Sequence, residues 1–88
     1  MYKIRFTEDA QKHLFILAKN SPQALKKLEK MLVELRVHPR TGTGQVEQLK
    51  HYEQETWSRR LTREHRLVYR IHDDIVEVLI ISAFGHYK

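Results

Sequence analysis

Trp57-Ser58-Arg59-Arg60-Leu61-Thr62-Arg63-Glu64-His65-Arg66-Leu67-Val68-Tyr69 is the stretch whose reading decides the fold. It spells two β-strands joined by a short polar turn at Arg63-Glu64-His65. Trp57 and Leu61 share one face of the first strand, and Leu67, Tyr69 and Ile71 share one face of the second. A three-residue connection puts both apolar sets on the same side, whereas a one-residue slip would bury arginines. Ser58, Arg60, Thr62, Arg66 and Arg70 are then left together on the opposite face. Arg59 falls on the apolar side and is expected to snorkel to the edge. A core has no use for such an arginine row. A polyanion site does, because guanidinium stays protonated and grips phosphate oxygens bidentately. A solvated hairpin face is the ordinary fate of alternating charge, and this stretch alone leaves the two readings level.

Working outward, the flanking segments supply the rest of one small domain spanning residues 1–88. Tyr2-Lys3-Ile4-Arg5-Phe6 alternates as a strand with Tyr2, Ile4 and Phe6 inward. Thr7 is placed as an N-cap, with Glu8 and Asp9 at the positive end of the helix it starts. Ala10, Leu14, Leu17 and Ala18 mark the inner face of that helix, and His13 is expected on the surface beside it. Ser21-Pro22 opens a second helix, with Ser21 as N-cap and Pro22 first in the helix. Leu25, Leu28, Leu32 and Leu35 recur at helical spacing, and Met31 widens the stripe, while lysines and glutamates take the other face. His38-Pro39 ends this helical hairpin.

Arg40-Thr41-Gly42-Thr43-Gly44-Gln45 is a loop whose glycines are expected to supply positive φ or close chain approach. Its Gly-x-Gly has no strand before it and no helix after it, so a nucleotide-binding reading fails. Val46-Glu47-Gln48-Leu49-Lys50-His51 follows, anchored by Leu49. Beyond the central hairpin, Asp73-Asp74 makes a tight turn. Ile75 to Ala83 is almost wholly apolar and β-branched, the pattern of a strand buried on both faces. Phe84-Gly85-His86-Tyr87-Lys88 is a short tail leaving that strand. The expected fold is α+β in the order β-α-α-β-β-β: a mainly antiparallel twisted sheet with the helical hairpin on one face and the arginines on the other.

Composition narrows the function. The chain has 88 residues, 41% hydrophobic and 31% charged, which is globular rather than disordered. It has no cysteine, so disulfides and thiolate metal sites are excluded, as suits a cytoplasmic protein. No apolar run approaches the ~20 residues of a membrane span, and no signal peptide is visible. A net charge of +5 and a pI near 9.7 point to an acidic partner, either nucleic acid or an acidic protein.

Among chemistry-bearing residues, no histidine pair sits at i, i+4 on a helix, so no metal site is expected. What remains is acid–base chemistry with cations. Glu47 could serve as a base, His86 as an acid, and Arg60, Arg66 and Lys50 as phosphate clamps. That set suits RNA cleavage by the RNA's own 2′-hydroxyl: a base takes the hydroxyl proton, cations stabilise the phosphorane, and an acid protonates the leaving oxygen. The scheme asks for no cofactor. A glutamate amid arginines is more often a structural ion pair, and a terminal histidine is more often merely exposed. A non-catalytic basic RNA- or ribosome-binding module, or an inhibitor acting by occupancy, would need the arginines but neither Glu47 nor His86.

Taken together, Pro39-x-x-Gly42-x-Gly44-x-x-Glu47-x-Leu49-Lys50-His51, Trp57-Ser58-Arg59-Arg60, Glu64-His65-Arg66-Leu67-Val68-Tyr69 and the terminal His86-Tyr87 resemble the YoeB (Txe) branch of the RelE-type toxins of bacterial toxin–antitoxin systems. The resemblance implies a RelE-like fold and a ribosome-dependent mRNA endonuclease, or interferase, that cuts the codon in the ribosomal A site and halts translation. It implies Glu47 as general base, Arg66 as the transition-state arginine, His86 as general acid and Tyr87 as the aromatic that orients the substrate. Lys50 and Arg60 stand where the family has cations contacting RNA phosphate. The implied partners are mRNA, the ribosome with its rRNA, and a cognate acidic antitoxin of the YefM/Axe type, with a homodimer also in the family's range. The chain departs from the family's pattern at Tyr52-Glu53-Gln54-Glu55-Thr56, at Phe84-Gly85, and at Lys88 after the tyrosine.

Overall fold

The structure, a computed structural model, describes residues 1–85; the His86 and Tyr87 assignments lie outside the described residues. After the first strand, β1 (Lys3–Phe6), the Thr7 hydroxyl accepts from the Ala10 amide and starts α1 (Glu8–Asn20). Ser21 separates the helices, and Pro22 is the first residue of α2 (Pro22–Val37). Ser21 holds the N-cap position without a side-chain capping bond; the helix starts instead from the fixed φ of Pro22. The remaining strands are β2 (Glu47–Leu49), β3 (Thr56–Arg60), β4 (Arg66–His72) and β5 (Glu77–Ser82). No helix among the described residues is long and apolar enough to cross a membrane.

The α+β layering expected from the sequence is what forms, with five strands among the described residues instead of four. Their order is β1-β5-β4-β3-β2, with β1 parallel to β5 and every other pair antiparallel. The helical hairpin covers one face. Ala10, Leu17, Ala24, Leu28, Met31 and Leu35 meet Leu61, Leu67, Tyr69, Ile71, Val78 and Ile80 in one core. Phe6 and Leu14 pack against its margin, while Ala18, expected inside, is exposed.

Three details differ from the sequence reading. The Glu47 segment is an edge strand, invisible to periodicity because only three residues pair and two of them are exposed. β5 begins at Glu77, not Ile75. A 3₁₀ turn over Asp73–Ile75 reverses the chain, Val76 closes it at φ +52°, and both Ile75 and Val76 stay exposed. A β-branched residue at positive φ is uncommon, so no local rule announces it. Lastly, the β3–β4 connection runs from Leu61 to His65, with the Leu61 and Thr62 amides both donating to the His65 carbonyl. Thr62 thus lies in the turn, where its hydroxyl accepts from the Glu64 and His65 amides, rather than on the strand face.

The central register is the one the hydrophobic pattern demanded. Trp57 pairs with Tyr69, Arg59 with Leu67, Ser58 with Val68 and Arg60 with Arg66. Ser58, Arg60, Arg66 and Arg70 therefore project from the face opposite the helices. Between β4 and β5 the register slips, Val68 facing Ser82 while Tyr69 faces Ile80, so Ile81 is the extra residue of a bulge. The Thr7 hydroxyl donates to its carbonyl at 3.1 Å.

Candidate active site on the open sheet face

The site is built on β2, β3 and β4. Glu47 faces Ser58 across the β2–β3 ladder, and Arg60 faces Arg66 across the β3–β4 ladder. The Ser58 hydroxyl accepts from Arg66 Nε at 3.3 Å and from Nη2 at 3.1 Å, which fixes the guanidinium plane. Arg66 Nη2 lies 4.0 Å from Glu47 Oε2; the arginine side chain is 17% exposed and the glutamate 66%. A pair that long and that wet adds little to stability, ~0–1 kcal/mol. Arg66 can therefore exchange its partner for an incoming anion while Glu47 stays open to a proton.

The rest of the row is short of acceptors. Arg60 Nε and Arg70 Nε are buried without a hydrogen-bond partner among the described residues. Two arginines directly opposite each other, as Arg60 and Arg66 are, work against the sheet. An arrangement that opposes two arginines and leaves two buried Nε donors unmatched among the described residues suits a polyanion. Lys50 is exposed just past the end of β2, on the far side of Glu47 from Arg60, so it flanks the site rather than joining its centre. Among the described residues, no three His, Cys, Asp or Glu side chains converge as a metal-binding group.

Glu47 is placed by the loop before it, and that loop is held by Arg59. The expectation that Arg59 snorkels is wrong. It has no exposed surface, and its guanidinium donates to Glu34 at 2.7 Å, to the Tyr69 hydroxyl at 3.1 Å, and to the carbonyls of Thr41 (2.7 Å), His38 (2.9 Å) and Thr43 (3.4 Å). Tyr69 donates onward to the Pro39 carbonyl at 2.7 Å, and burial pushes its phenol pKa up. Bonds from the Thr43 amide and hydroxyl, with Arg59 adding to them, hold the Glu34 carboxyl below its ordinary range. Edge escape would have surrendered a full set of acceptors, which is why the charge stays inside. Gly42 and Gly44, at φ +130° and +98°, have no room for a Cβ. One would press on Glu34 Oε1 at Gly42, and on Met31 Cε and the Arg60 carbonyl at Gly44. The Gly44 carbonyl accepts from the Arg60 amide, and three residues later the chain presents Glu47.

The far edge of the site is where the tail begins. The Arg66 amide donates to the Gly85 carbonyl at 3.0 Å, so the residue preceding His86 is fixed against the strand that carries the arginine.

With this geometry in view, comparison with known proteins is decisive. The family model for the YoeB-like toxin of bacterial type II toxin–antitoxin systems matches residues 6–87. Toxin YoeB of Escherichia coli strain K12 is 34% identical over 85 residues, covering 97% of this chain and 99% of its own. The chain belongs to the YoeB-like toxins. Among solved structures, the YoeB dimer from Staphylococcus aureus superposes with a TM-score of 0.85 at 31% identity, covering 98% of each chain. The YoeB–YefM complex from the same organism gives 0.81 at 30% identity, covering 99% of each.

Within this YoeB-like toxin, sequence reasoning brought forward Glu47, Arg66 and Arg60, which the fold gathers, and Lys50, which it leaves at the rim. It missed the groups that hold them. Ser58 was placed on the right face, but nothing local said that its hydroxyl would seat Arg66. Arg59 did carry a signal: an arginine on the apolar parity of a strand is either at an edge or fully satisfied inside. His13, expected on the surface, is half-buried, and its Nδ1 accepts from the Ala83 amide at 3.1 Å.

Proposed function

We propose that this toxin is a ribosome-dependent mRNA endonuclease working in the cytoplasm, cutting mRNA in the A site through attack by the internal 2′-hydroxyl. The observation that carries the reading is the Glu47 carboxylate lying 4.0 Å from a guanidinium that Ser58 orients, on a face where the Nε atoms of Arg60 and Arg70 find no acceptor among the described residues. Glu47 takes the proton of the 2′-hydroxyl. Arg66 stabilises the charge that develops on the phosphorane, with Arg60 and Lys50 holding flanking phosphate oxygens. His86 protonates the leaving 5′-oxygen, and Tyr87 orients the nucleotide. Both directly follow Gly85 in the chain, and Gly85 is hydrogen-bonded to Arg66. Glu47 stands open to solvent on an edge strand, within reach of an mRNA that the ribosome holds in place, which suits an enzyme active on the assembled ribosome.

The same basic face, together with the tail, is the surface for a cognate acidic antitoxin, since a charge of +5 on 88 residues offers a strong electrostatic target. The solved Staphylococcus aureus relatives, a YoeB–YefM complex and a YoeB dimer, support both an antitoxin partner and self-association. The test is in vitro translation with primer extension on the mRNA. Wild-type protein should leave a 2′,3′-cyclic phosphate at a codon-registered cut, and Glu47→Gln should slow that cut by ~10²–10⁴-fold. Efficient cutting of mRNA carrying a 2′-deoxy sugar at the cleavage position would overturn the mechanism. Ribosome stalling without any cut would favour inhibition by occupancy.

A further inference from the structure

Past Ser82 the chain leaves the sheet, and its amides need new acceptors. Two of them find imidazole nitrogens from separate parts of the fold. The Ala83 amide donates to Nδ1 of His13 on α1 at 3.1 Å, and the Gly85 amide donates to Nδ1 of His65 in the β3–β4 turn at 2.9 Å. The residue between them, Phe84, stacks on the His65 ring, with centroids 4.4 Å apart and planes 25° apart, and lies 6.1 Å from the His13 ring. Gly85 sits at φ +79°, where a Cβ would meet nothing within 4 Å, so glycine serves the turn of the backbone there and not the space. The Gly85 carbonyl accepts from Arg66, the residue after His65.

We propose that His65 and His13 are positioning residues for the cleavage reaction: their Nδ1 atoms clasp the Ala83 and Gly85 amides and so fix, beside Arg66, the point from which the chain leads into His86 and Tyr87. The proposal rests on the catalytic reading above. Histidine fits the task for an electrostatic reason. The Gly85 amide needs an acceptor beside Arg66, and a carboxylate there would neutralise a cation the phosphate requires. A neutral imidazole with its proton on Nε2 accepts at Nδ1 and adds no negative charge.

The deciding experiment measures kcat and KM for cutting of ribosome-bound mRNA by the full chain. It compares wild type with His65→Ala, His65→Asn, His13→Ala, His86→Gln and the double variant His65→Ala/His86→Gln, and follows hydrogen exchange at the Ala83 and Gly85 amides in parallel. Misplacing a reacting group by about 1 Å costs on the order of 10²-fold. His65→Ala should therefore lower kcat by that order with KM near the wild-type value, and the Gly85 amide should exchange faster. His65→Asn, whose side-chain oxygen can take the place of Nδ1, should recover much of the loss, and His13→Ala should quicken exchange at Ala83. In the His86→Gln background, His65→Ala should cost little more, because both act through one group. A full multiplicative loss in the double variant, or wild-type exchange at Gly85 in His65→Ala, would overturn the clasp while leaving the catalytic reading in place. A wild-type protein that cuts nothing would overturn the catalytic reading, whereas slow exchange at both amides, lost on substitution, would show the clasp standing without it.

Discussion

Replacing Arg59 by methionine should remove a large share of the protein's stability, whereas the same replacement at its neighbour Arg60 should leave it nearly unchanged. Arg59 has no exposed surface and serves Glu34, Tyr69 and three loop carbonyls. Methionine fills much of its volume, so the loss is polar rather than a cavity. Removing one partner of a buried charge pair costs ~3–5 kcal/mol. Glu34 keeps a third of its side-chain surface in water and retains its Thr43 bonds, which pulls the figure down. Orphaned carbonyls pull it up, by ~1–3 kcal/mol for each one sealed from water. The balance is about 3–4 kcal/mol, set against the roughly 4–13 kcal/mol expected of 88 residues. That corresponds to a fall in Tm of roughly 10–30 °C. Urea titration followed by the fluorescence of half-buried Trp57 measures it directly. Arg59→Lys should fall between, since one ammonium cannot reach the whole set of acceptors. An Arg59→Met protein within about 0.5 kcal/mol of wild type, the range of an ordinary surface change, would refute the account of the hub. So would an Arg60→Met loss of equal size.

Arg66→Ala should abolish mRNA cutting while its urea midpoint stays close to wild type, and Arg66→Lys should recover little because the planar fork is lost; an unfolded Arg66→Ala protein would mean the side chain is structural. Gly44→Ala should destabilise by roughly 1–3 kcal/mol, because its Cβ would press on Met31 and on the Arg60 carbonyl at a positive φ, and calorimetry showing an unchanged Tm would contradict this. Acid should weaken the fold. Glu34, held low by Thr43 and Arg59, and Glu55, held low by Arg40 and then Trp57, bind fewer protons folded than unfolded. Their contribution is present above the ordinary glutamate pKa of ~4.3 and is lost as pH falls through their lower folded values. Urea midpoints at descending pH should show this, with a shallower decline in Glu34→Gln, and a midpoint independent of pH below that range would count against it.

Much of the architecture was legible because it rests on local rules. The Thr7 cap, the Ser21-Pro22 break and the leucine spacing of α2 depend on neighbours within a turn or two. The face of the central hairpin followed from parity alone, since Trp57, Leu67, Tyr69 and Ile71 can share a core only in the register that sends Ser58, Arg60, Arg66 and Arg70 outward. Glu47 could be singled out by chemical type, and its place in a family pattern added to that. Other features were settled by tertiary structure. β2 pairs through three residues with no apolar face of their own, so its existence depends on β3 being there to receive it. Whether Arg59 escapes to an edge or stays inside depends on acceptors gathered from α2, the loop after it and β4, an accounting no periodicity contains. The same holds for His13 and His65, which became partners of the tail only when the end of β5 arrived beside them. Periodicity records which side of an element meets water. It does not record which polar groups from distant segments will be left facing one another once the water is gone, and that pairing decided where the charges of this protein stand.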